Sequence, residues 1–203
     1  GRELWKSDGS TAGTVLVKDI WPGSSGSLAY GASDEFTDFA GTLFFAATQL
    51  GIGKQLWRSD GTDVGTFMVK RIHPTISSTP QHLTVVGDSL YFSANDGTHG
   101  AELWKSDGTD AGTVLVKDIW SGSVGSSPFS LFGFGGTLLF AANNGTTGTE
   151  LWRSDGTAAG TVLVKDIEPG AANAAPQHFT AMGGSVYFTA FHAQNFDTLW
   201  KTD

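Results

Sequence analysis

One phrase recurs along the chain at an almost constant interval, and it limits the possible folds more than any other feature. It reads "ELWKSDGTDAGTVLVKDI" at Glu102–Ile119. Close copies stand at Glu3–Ile20, Gln55–Ile72 and Glu150–Ile167, and "TLWKTD" begins a further copy at Thr198. Self-similarity at a period of about 20–50 residues is the sequence signature of repeat architectures. We therefore expect one structural unit for each copy of the phrase.

The phrase divides the chain into units of nearly equal length. A second phrase, "GTLFFAA", returns in register as "DSLYFSA", "GTLLFAA" and "GSVYFTA", so whole units repeat and not only one motif. We expect a single domain over 1–203. Its predicted units are 3–54, 55–101, 102–149 and 150–197, with a partial fifth at 198–203.

The repeating unit reads as four short strands separated by turns. In one copy, the predicted strands are Phe129–Phe134, Thr137–Ala142, Glu150–Ser154 and Thr161–Ile167. The connections "GG", "NNGTTGT" and "DGTAAG" place Gly where turns need a positive φ. No window has apolar residues at the helical spacing of about 3.6 over a helical length, so the sequence predicts an all-β chain.

The strands are apolar on both faces. Runs such as "LYF" and "LLF" place apolar residues next to one another, whereas a half-buried sheet alternates apolar and polar residues. Repeated four-stranded sheets of about 40–50 residues that are buried on both faces are typical of propeller blades. We predict a β-propeller of four-stranded antiparallel blades with four blades. The alternative is a β-solenoid, whose coils are usually shorter than this unit.

Composition excludes several classes of protein. With 39% hydrophobic and 16% charged residues, the chain is not of the disordered type. Its net charge of −8 argues against nucleic acid as a partner. It has no cysteine, which excludes disulfides and thiolate metal sites. No apolar run approaches the roughly 20 residues of a membrane span, so we expect no membrane insertion. Since the chain begins at Gly1 without a signal peptide or Met, we expect a processed chain or a fragment.

The repeated phrase resembles the bacterial tandem repeats known by the signature ELWxxDGTxxGT. The match covers essentially the whole chain, and Glu102–Thr113 fits the signature at every fixed position. Departures are local, because Gln55 and Thr198 replace the Glu and Ser10 replaces a Thr. The resemblance implies a secreted or surface-displayed protein of propeller type, so the expected location is extracellular or the cell surface. It implies no particular molecular function.

Alternate units resemble each other most. Lys6 and Lys105 occupy one position in the first and third units, and Arg58 and Arg153 occupy it in the second and fourth. The alternation suggests that a block of two units was duplicated. A site built on alternating positions would therefore occur twice, on opposite sides of a four-bladed ring.

The Trp of each "LW" pair is predicted to be a packing anchor between blades. It recurs beside Leu on a strand that is apolar on both faces, which favours burial over a role as a ligand platform. These residues are Trp5, Trp57, Trp104, Trp152 and Trp200.

The Asp of each "SDGT" has two interpretations. A calcium loop gathers several oxygen ligands at alternating positions, but here a single Asp precedes Gly and Thr. An Asx-type turn that closes a hairpin explains the motif without a metal. The residues are Asp8, Asp60, Asp107 and Asp155.

Trp21 and Trp120 are the candidate platforms for a sugar ring. They follow the strand-ending "KDI", and the other two units have His73 and Glu168 at this position. Because a core position would not alternate with His and Glu, we expect these aromatic side chains to be exposed. The alternative is that the loop Trp folds back over a neighbouring blade.

His82 and His178 complete the candidate binding set. Each follows a Gln at the start of the presumed innermost strand, where it could line the mouth of the central channel. The alternative is that both side chains hydrogen-bond the backbone at a strand start. The possible glycan-binding residues are therefore Trp21, Trp120, His73, Glu168, His82 and His178.

No catalytic motif stands out. The sequence has no nucleophile elbow, HExxH helix, P-loop or dinucleotide-binding glycine pattern. Its 5 His residues lack ligand spacing. We predict no enzyme activity, no cofactor and no metal.

Two functions fit these observations. The first is an extracellular structural or adhesive module, and the alternative is a lectin-like propeller that binds carbohydrate. A hydrolase has little support, because no unit carries polar chemistry that the others lack.

The number of "LW" strands suggests self-association. A closed four-bladed ring needs four copies and the chain supplies a fifth, so either Thr198–Asp203 or Gly1–Asp8 is surplus. An unpaired apolar strand can add to another molecule's open blade, and such head-to-tail contacts build filaments. The alternative is that the chain is a slice of a longer array. The expected partners are thus another copy of the chain, bound through terminal strands, and, for the lectin-like alternative, carbohydrate.

Overall fold

The chain is a succession of antiparallel β-sheets. The structure is a computed structural model that describes residues 1–28, 35–194 and 196–203. Within these ranges the chain forms strands β1 to β17 and no helix. The prediction of an all-β chain is therefore confirmed.

The strands form five sheets, which we number I to V in chain order. Sheet I contains β1 (Leu4–Lys6) and β2 (Val15–Lys18). Sheet II contains β3 (Thr37–Phe39), β4 (Thr42–Gln49), β5 (Gly53–Ser59) and β6 (Phe67–Lys70). Sheet III contains β7 (Gln81–Val86), β8 (Ser89–Asn95), β9 (Ala101–Ser106) and β10 (Val114–Lys117). Sheet IV contains β11 (Phe129–Phe134), β12 (Thr137–Asn143), β13 (Thr149–Ser154) and β14 (Val162–Lys165). Sheet V contains β15 (Gln177–Met182), β16 (Ser185–His192) and β17 (Phe196–Thr202).

Sheets II, III and IV are four-stranded meanders, in which each strand pairs with the next along the chain. This confirms the predicted unit of four antiparallel strands, whose ends differ from prediction by one or two residues. Sheet I has two strands and sheet V has three. Each complete sheet takes its first two strands from one sequence unit and its last two mainly from the next. The sheets are thus offset by half a unit from the sequence repeat.

The second strand of each complete sheet is buried on both faces. In β12, the run from Leu138 to Ala142 is almost wholly inaccessible to solvent. Since successive strand residues point to opposite faces, both faces of the sheet must be covered by protein. This explains why the apolar residues do not alternate with polar ones.

Hydrophobic clusters join each sheet to the next one along the chain. The cluster between sheets III and IV, for example, contains Tyr91 and Leu103 from one sheet and Phe140 and Trp152 from the other. Equivalent clusters join sheets I and II, II and III, and IV and V. The core is therefore a series of layers between consecutive sheets.

The two residues of each "LW" pair face different neighbours. Leu103 packs into the cluster shared with the following sheet, whereas Trp104 packs into the cluster shared with the preceding sheet. Trp57 and Trp152 are buried in the same way, and Trp200 packs at the edge of the last cluster. The "LW" strand therefore binds two sheets at once.

Trp5 is an exception to the predicted set of buried anchors. Its side chain is 58% exposed, whereas that of Trp104 is 6% exposed. Trp5 lies on sheet I and faces the side on which the other sheets have a predecessor. The sequence motif is the same, but in the described structure nothing covers this face.

This difference leads to a test of the anchor role. Replacing Trp104 by Ala should lower the free energy of unfolding by about 3–5 kcal/mol, because it empties a packed layer between two sheets. Replacing Trp5 by Ala should change it by no more than about 0.5 kcal/mol, as for other exposed positions. Urea denaturation of both variants measures the two values. Equal losses would mean that Trp5 is covered in solution.

Candidate functional site

The "SDGT" segment folds into a turn that its own side chains close. Thr109 donates from its amide and its hydroxyl to Asp107 Oδ1, at 2.9 and 2.7 Å. The hydroxyls of Ser106 and Thr113 share a hydrogen bond of 2.8 Å across the base of the turn. The hydrogen bonds from Thr109 lower the pKa of Asp107. The carboxylate thus holds the turn, as the Asx-turn interpretation predicts.

The second glycine of the motif is needed for the same reason. A Cβ at Gly112 would overlap the carboxylate of Asp107, and the equivalent glycines contact their own Asp in the same way. The full "SDGTxxGT" spacing is therefore explained by local packing. Among the described residues, no three Asp, Glu or His side chains gather where they could hold a metal ion.

A buried carboxylate fastens the third strand to the loop that leads to the next sheet. Glu102 is fully buried. Its Oε1 accepts from the amides of Trp120 and Ser126 at 3.1 and 2.8 Å, and its Oε2 accepts from the Ile119 amide at 3.2 Å. Burial raises the pKa of Glu102, although these hydrogen bonds act in the opposite direction. The same arrangement recurs at Glu3 and Glu150.

The second unit uses an amide for this purpose. Gln55 Oε1 accepts from the Ile72 amide at 3.1 Å and from the Ser78 hydroxyl at 2.8 Å. Its Nε2 donates to the carbonyl oxygen of Ile76 at 2.9 Å. The loop here offers carbonyl groups where the loop around Glu102 offers only donors. The departure from the "ELW" signature at Gln55 therefore matches the polarity of its own loop.

Reciprocal substitutions test this match. Glu102→Gln should lower the free energy of unfolding by about 1–3 kcal/mol, because an amide NH₂ would face the amides of Trp120 and Ser126. Gln55→Glu should lower it at neutral pH by at least as much, because a carboxylate oxygen would face the Ile76 carbonyl. Chemical denaturation at neutral pH measures both. A neutral effect of either substitution would show that the loop readily adapts to the other group.

Basic side chains connect each sheet to the turn of the following sheet. The third-strand contacts are Lys6 Nζ to Gly61 O at 2.7 Å, Arg58 Nη1 to Gly108 O at 3.2 Å and Lys105 Nζ to Gly156 O at 2.8 Å. The fourth-strand contacts are Lys18 Nζ to Asp63 O at 2.8 Å, Lys70 Nζ to Asp110 O at 3.0 Å and Lys117 Nζ to Thr161 O at 2.8 Å. Two cations thus hold the turn in each of sheets II, III and IV, and both come from the preceding sheet.

The turn also packs on the second strand of the preceding sheet. A Cβ at Gly108 would lie 3.0 Å from Phe44 Cζ, and a Cβ at Gly156 would overlap the Tyr91 hydroxyl. Both glycines have a positive φ, near 90°. Glycine is therefore required here both by the backbone conformation and by the close approach of an aromatic ring.

Sheet IV carries the same donors without a turn. Arg153 and Lys165 occupy the positions of the two cations, yet both are exposed and make no hydrogen bond or ion pair in the described part of the chain. Arg153 lines a cleft of about 360 Å³ together with Leu139, Leu163 and Asp203. Leu139 is the counterpart of Phe44 and Tyr91. The cleft therefore has the composition of a turn-binding site.

Sheet I carries a turn without donors from a preceding sheet. Residues 7–14 are closed by the same internal bonds, with Ser7 Oγ and Thr14 Oγ1 2.7 Å apart. Ser7, Gly9 and Thr14 are exposed, whereas their counterparts in sheets II to IV are buried or, at Gly61, half-buried. The turn thus has the same internal structure as its counterparts. Its counterparts pack one face against the preceding sheet, and in this turn that face is exposed.

A pair of glycine substitutions measures what this packing contributes. Gly156→Ala and Gly9→Ala share the cost of a positive φ for a non-glycine residue, about 1–2 kcal/mol. Gly156→Ala should lose more stability than Gly9→Ala, because only its methyl group meets the buried ring of Tyr91. Thermal unfolding of the two variants makes the comparison. If both melt together, the turn does not depend on contact with the preceding sheet.

The candidate platform Trp120 packs against the next sheet. Its indole lies 2.7 Å from the position that a Cβ on Gly145 would occupy, in the hairpin turn of sheet IV. His73 lies equally close to Gly97 of sheet III and is 8% exposed. Both side chains cover a glycine in the following sheet. This differs from the expected exposed platform and corresponds to the alternative in which the loop residue folds back.

The other two loop positions are Glu168 and Trp21. Glu168 Oε2 accepts from the Ala193 amide at 2.7 Å, which again joins the loop to the hairpin turn of the following sheet. Trp21 is half-buried. A hydrogen bond at Glu168 and an aromatic ring at Trp120 or His73 thus each join the loop to the hairpin of the following sheet.

His82 and His178 lie at bulges in the first strands of sheets III and V. Their φ values are 60° and 57°, and the strand register shifts at both places. His178 Nδ1 is 2.9 Å from Thr189 Oγ1 of the adjacent strand. In the described residues, neither histidine forms a hydrogen bond or ring contact with the four loop positions. The structure thus does not assemble the six candidates into one site.

Sequence reasoning missed the basic residues that bind the turns. The signal was present, since Lys or Arg follows every "LW" pair and a Lys ends each fourth strand, directly before "DI" or "RI". In the sequence analysis, these basic residues indicated only that alternate units resemble each other. The acceptors lie roughly 40 to 55 residues further along, at backbone carbonyl groups that carry no sequence signature.

Comparisons with known proteins add little. No protein-family model matches the chain, and no curated protein matches it significantly. Among solved structures, the computationally designed protein Ika4 is 14% identical to this chain, with a TM-score of 0.48. The match covers 91% of this chain and 98% of the Ika4 chain. The designed protein Ika8 is 13% identical with a TM-score of 0.45; the match covers 81% of this chain and 44% of Ika8. A GH43 endo-arabinanase from Bacillus licheniformis is 12% identical, with a TM-score of 0.23 over 83% of this chain and 91% of that enzyme.

Proposed function

We propose that this chain is a non-enzymatic structural or adhesive module of the β-propeller type that associates with itself through its first and last sheets. The observation that carries the proposal is the exposure of apolar side chains at these two ends. Trp5 on sheet I is 58% exposed and Leu199 on sheet V is 73% exposed. Their counterparts Trp104 and Leu103 are 6% and 0% exposed. Exposed apolar surface of this kind favours contact with a partner.

The two ends are complementary. In the complete sheets, the Leu of an "LW" pair faces forward and the Trp faces backward, so Trp5 and Leu199 present opposite sides of the same interface. Sheet I has the counterparts of a third and a fourth strand, and sheet V has those of a first, a second and a third. Sheet I of one molecule would therefore follow sheet V of another as the next sheet of the series. The proposal keeps the β-propeller with four blades that the sequence predicts.

Head-to-tail contact between complementary ends need not close on itself. When one end of a molecule binds the opposite end of the next, the same contact can repeat and extend into a filament. Such assembly suits an adhesive role. The extracellular or cell-surface location is supported by the resemblance of the repeat to the ELWxxDGTxxGT family.

The roles of the buried polar groups support a non-enzymatic function. The buried carboxylates of Glu102 and Glu150 accept hydrogen bonds from loop amides, and the Asp of each turn accepts from its own Thr. Each of these groups has a structural task.

Among the described residues, no helix has the length and apolar character needed to span a membrane.

The carbohydrate-binding alternative has less support. A sugar-stacking platform needs an open ring face, but the indole of Trp120 lies against the hairpin of sheet IV. His73 is buried in the equivalent place. A glycan array on the parent chain tests this alternative, and specific binding that Trp120→Ala weakens would favour it.

Sedimentation velocity tests self-association. The parent chain should sediment as larger species as its concentration is raised about a hundredfold, because the apolar ends become covered. Leu199→Asp should remain monomeric over the same range. Ile76→Asp is the matched control, since Ile76 is 62% exposed but lies on an inter-sheet loop away from the end sheets. It should associate like the parent. A parent chain that is monomeric throughout would contradict the proposal.

A further inference from the structure

We propose that the hairpin between β8 and β9 is a pH-sensitive element of the fold, whose stability is controlled by the ion pair of Asp96 and His99. The hairpin consists of residues 96–100 of sheet III. Within it, His99 Nδ1 lies 2.8 Å from Asp96 Oδ2. The inference concerns the response of one sheet junction to pH and does not depend on the proposed self-association.

Asp96 uses one carboxylate oxygen for the backbone and the other for the histidine ring. Its Oδ1 accepts from the amides of Thr98 and His99 at 2.8 and 2.9 Å. Its Oδ2 is the oxygen that contacts the ring of His99. The side chain of Asp96 is only 17% exposed, so water screens this pair less than a fully exposed one. The pair therefore stabilises the closed hairpin while His99 is protonated.

The hairpin of sheet IV has the same backbone arrangement without the ion pair. Asn144 Oδ1 accepts from the amides of Thr146 and Thr147, both at 2.9 Å. Asn144 and Thr147 thus stand at the positions of Asp96 and His99, and neither has a titratable side chain. The turn does not need the ion pair for its conformation. What the pair adds in sheet III is a dependence on pH.

Three carboxylates of sheet III act on His99. The hydrogen bond to Asp96 raises the pKa of His99, and the charges of Asp96, Asp118 and Glu102 act in the same direction. Asp118 directly follows β10, and its Oδ1 is buried without a hydrogen-bond partner in the described residues. Protonated His99 therefore balances negative charge at this end of the sheet, and the balance is lost when His99 becomes neutral.

The loop that leads from sheet II to sheet III brings one more titratable group to the hairpin, His73. Its ring lies against Gly97, and its Nδ1 accepts from the amides of Thr75 and Ile76 at 3.3 and 3.2 Å. In the described residues, His73 forms no hydrogen bond with the ion pair. Opening of the hairpin would loosen the contact between this loop and sheet III, so the pair also affects the junction between sheets II and III.

The two partners determine the direction of the pH dependence. Because the folded pKa of His99 is raised, its contribution is complete below the ordinary histidine value of about 6.5 and is lost as the pH rises through the folded pKa. Burial acts to raise the pKa of Asp96, but the hydrogen bonds from His99 and Thr98 outweigh burial and lower it. The contribution of Asp96 is therefore lost only in strong acid. The hairpin is most stable in mildly acidic solution and opens more readily in alkaline solution.

Amide hydrogen exchange measured by NMR tests this response. Between about pH 6 and about pH 9, the protection factors of the Thr98 and His99 amides should fall by about twofold to fivefold, as expected for a partly exposed ion pair. The amides of Thr146 and Thr147 in the same sample are the internal control and should keep their protection. Equal changes at both hairpins, or no change at either, would overturn the proposal.

Removing the pair separates its effect from that of His73. Asp96→Asn with His99→Thr gives the hairpin of sheet III the side chains of its counterpart in sheet IV and leaves His73 in place. This double variant should lose the pH response of the hairpin. Protection of the β9 amides in the same sheet reports whether the fold is intact. If an intact double variant keeps the response of the parent, the ion pair is not its source and the proposal is wrong.

Installing the pair in sheet IV is the converse experiment. Asn144→Asp with Thr147→His should give this hairpin the pH response, although Trp120 and not a histidine packs against its glycine. The gain should again be about twofold to fivefold in protection between the two pH values. A folded variant in which the hairpin of sheet IV stays insensitive to pH would overturn the assignment of the response to the Asp–His pair.

Discussion

The buried carboxylate or amide at the start of the first four "LW" strands is the interaction on which the rest of the structure depends. Burying a charge such as Glu102 is costly unless its oxygens receive hydrogen bonds, and the loop to the next sheet supplies them. The same bonds set the direction in which that loop leaves the sheet, and so the position of the following first strand. Where the loop offers carbonyl groups, the chain has Gln55. The polarity of one side chain and the path of the backbone are thus matched in the four complete units.

Once the loop is placed, a second contact aligns neighbouring sheets. Two cations of one sheet donate to backbone carbonyl groups in the turn of the next, and an aromatic side chain such as Tyr91 packs beneath that turn. Each sheet therefore contacts mainly its neighbours, as in other repeat proteins. In the described structure, Trp5 on sheet I and Arg153 on sheet IV are exposed, whereas their counterparts Trp104 and Lys105 contact a neighbouring sheet.

The candidate binding residues show that a local sequence pattern does not predict whether a loop side chain is exposed. Trp120 alternates with His73 and Glu168 at equivalent positions, which suggests that the position accepts different side chains. A position of that kind is expected to be exposed to solvent. In the structure each of these side chains instead secures the hairpin of the following sheet, by packing or by a hydrogen bond. Different chemistries perform one structural task because the hairpin presents both a glycine face and a free amide. No single sequence position reveals this, since the hairpin lies about 25 residues further along the chain.

By itself, the sequence determined the strands, the turns and the repeat. Strands that are apolar on both faces and glycines at fixed spacing are local signals, so β11 to β14 lie within one or two residues of their predicted bounds. Only the tertiary structure decided which copies of a motif are covered. Trp5 and Trp104 stand in the same five-residue phrase, yet one is exposed and the other buried. The physical reason is that burial depends on a sheet formed by a distant part of the chain, which the local phrase does not encode.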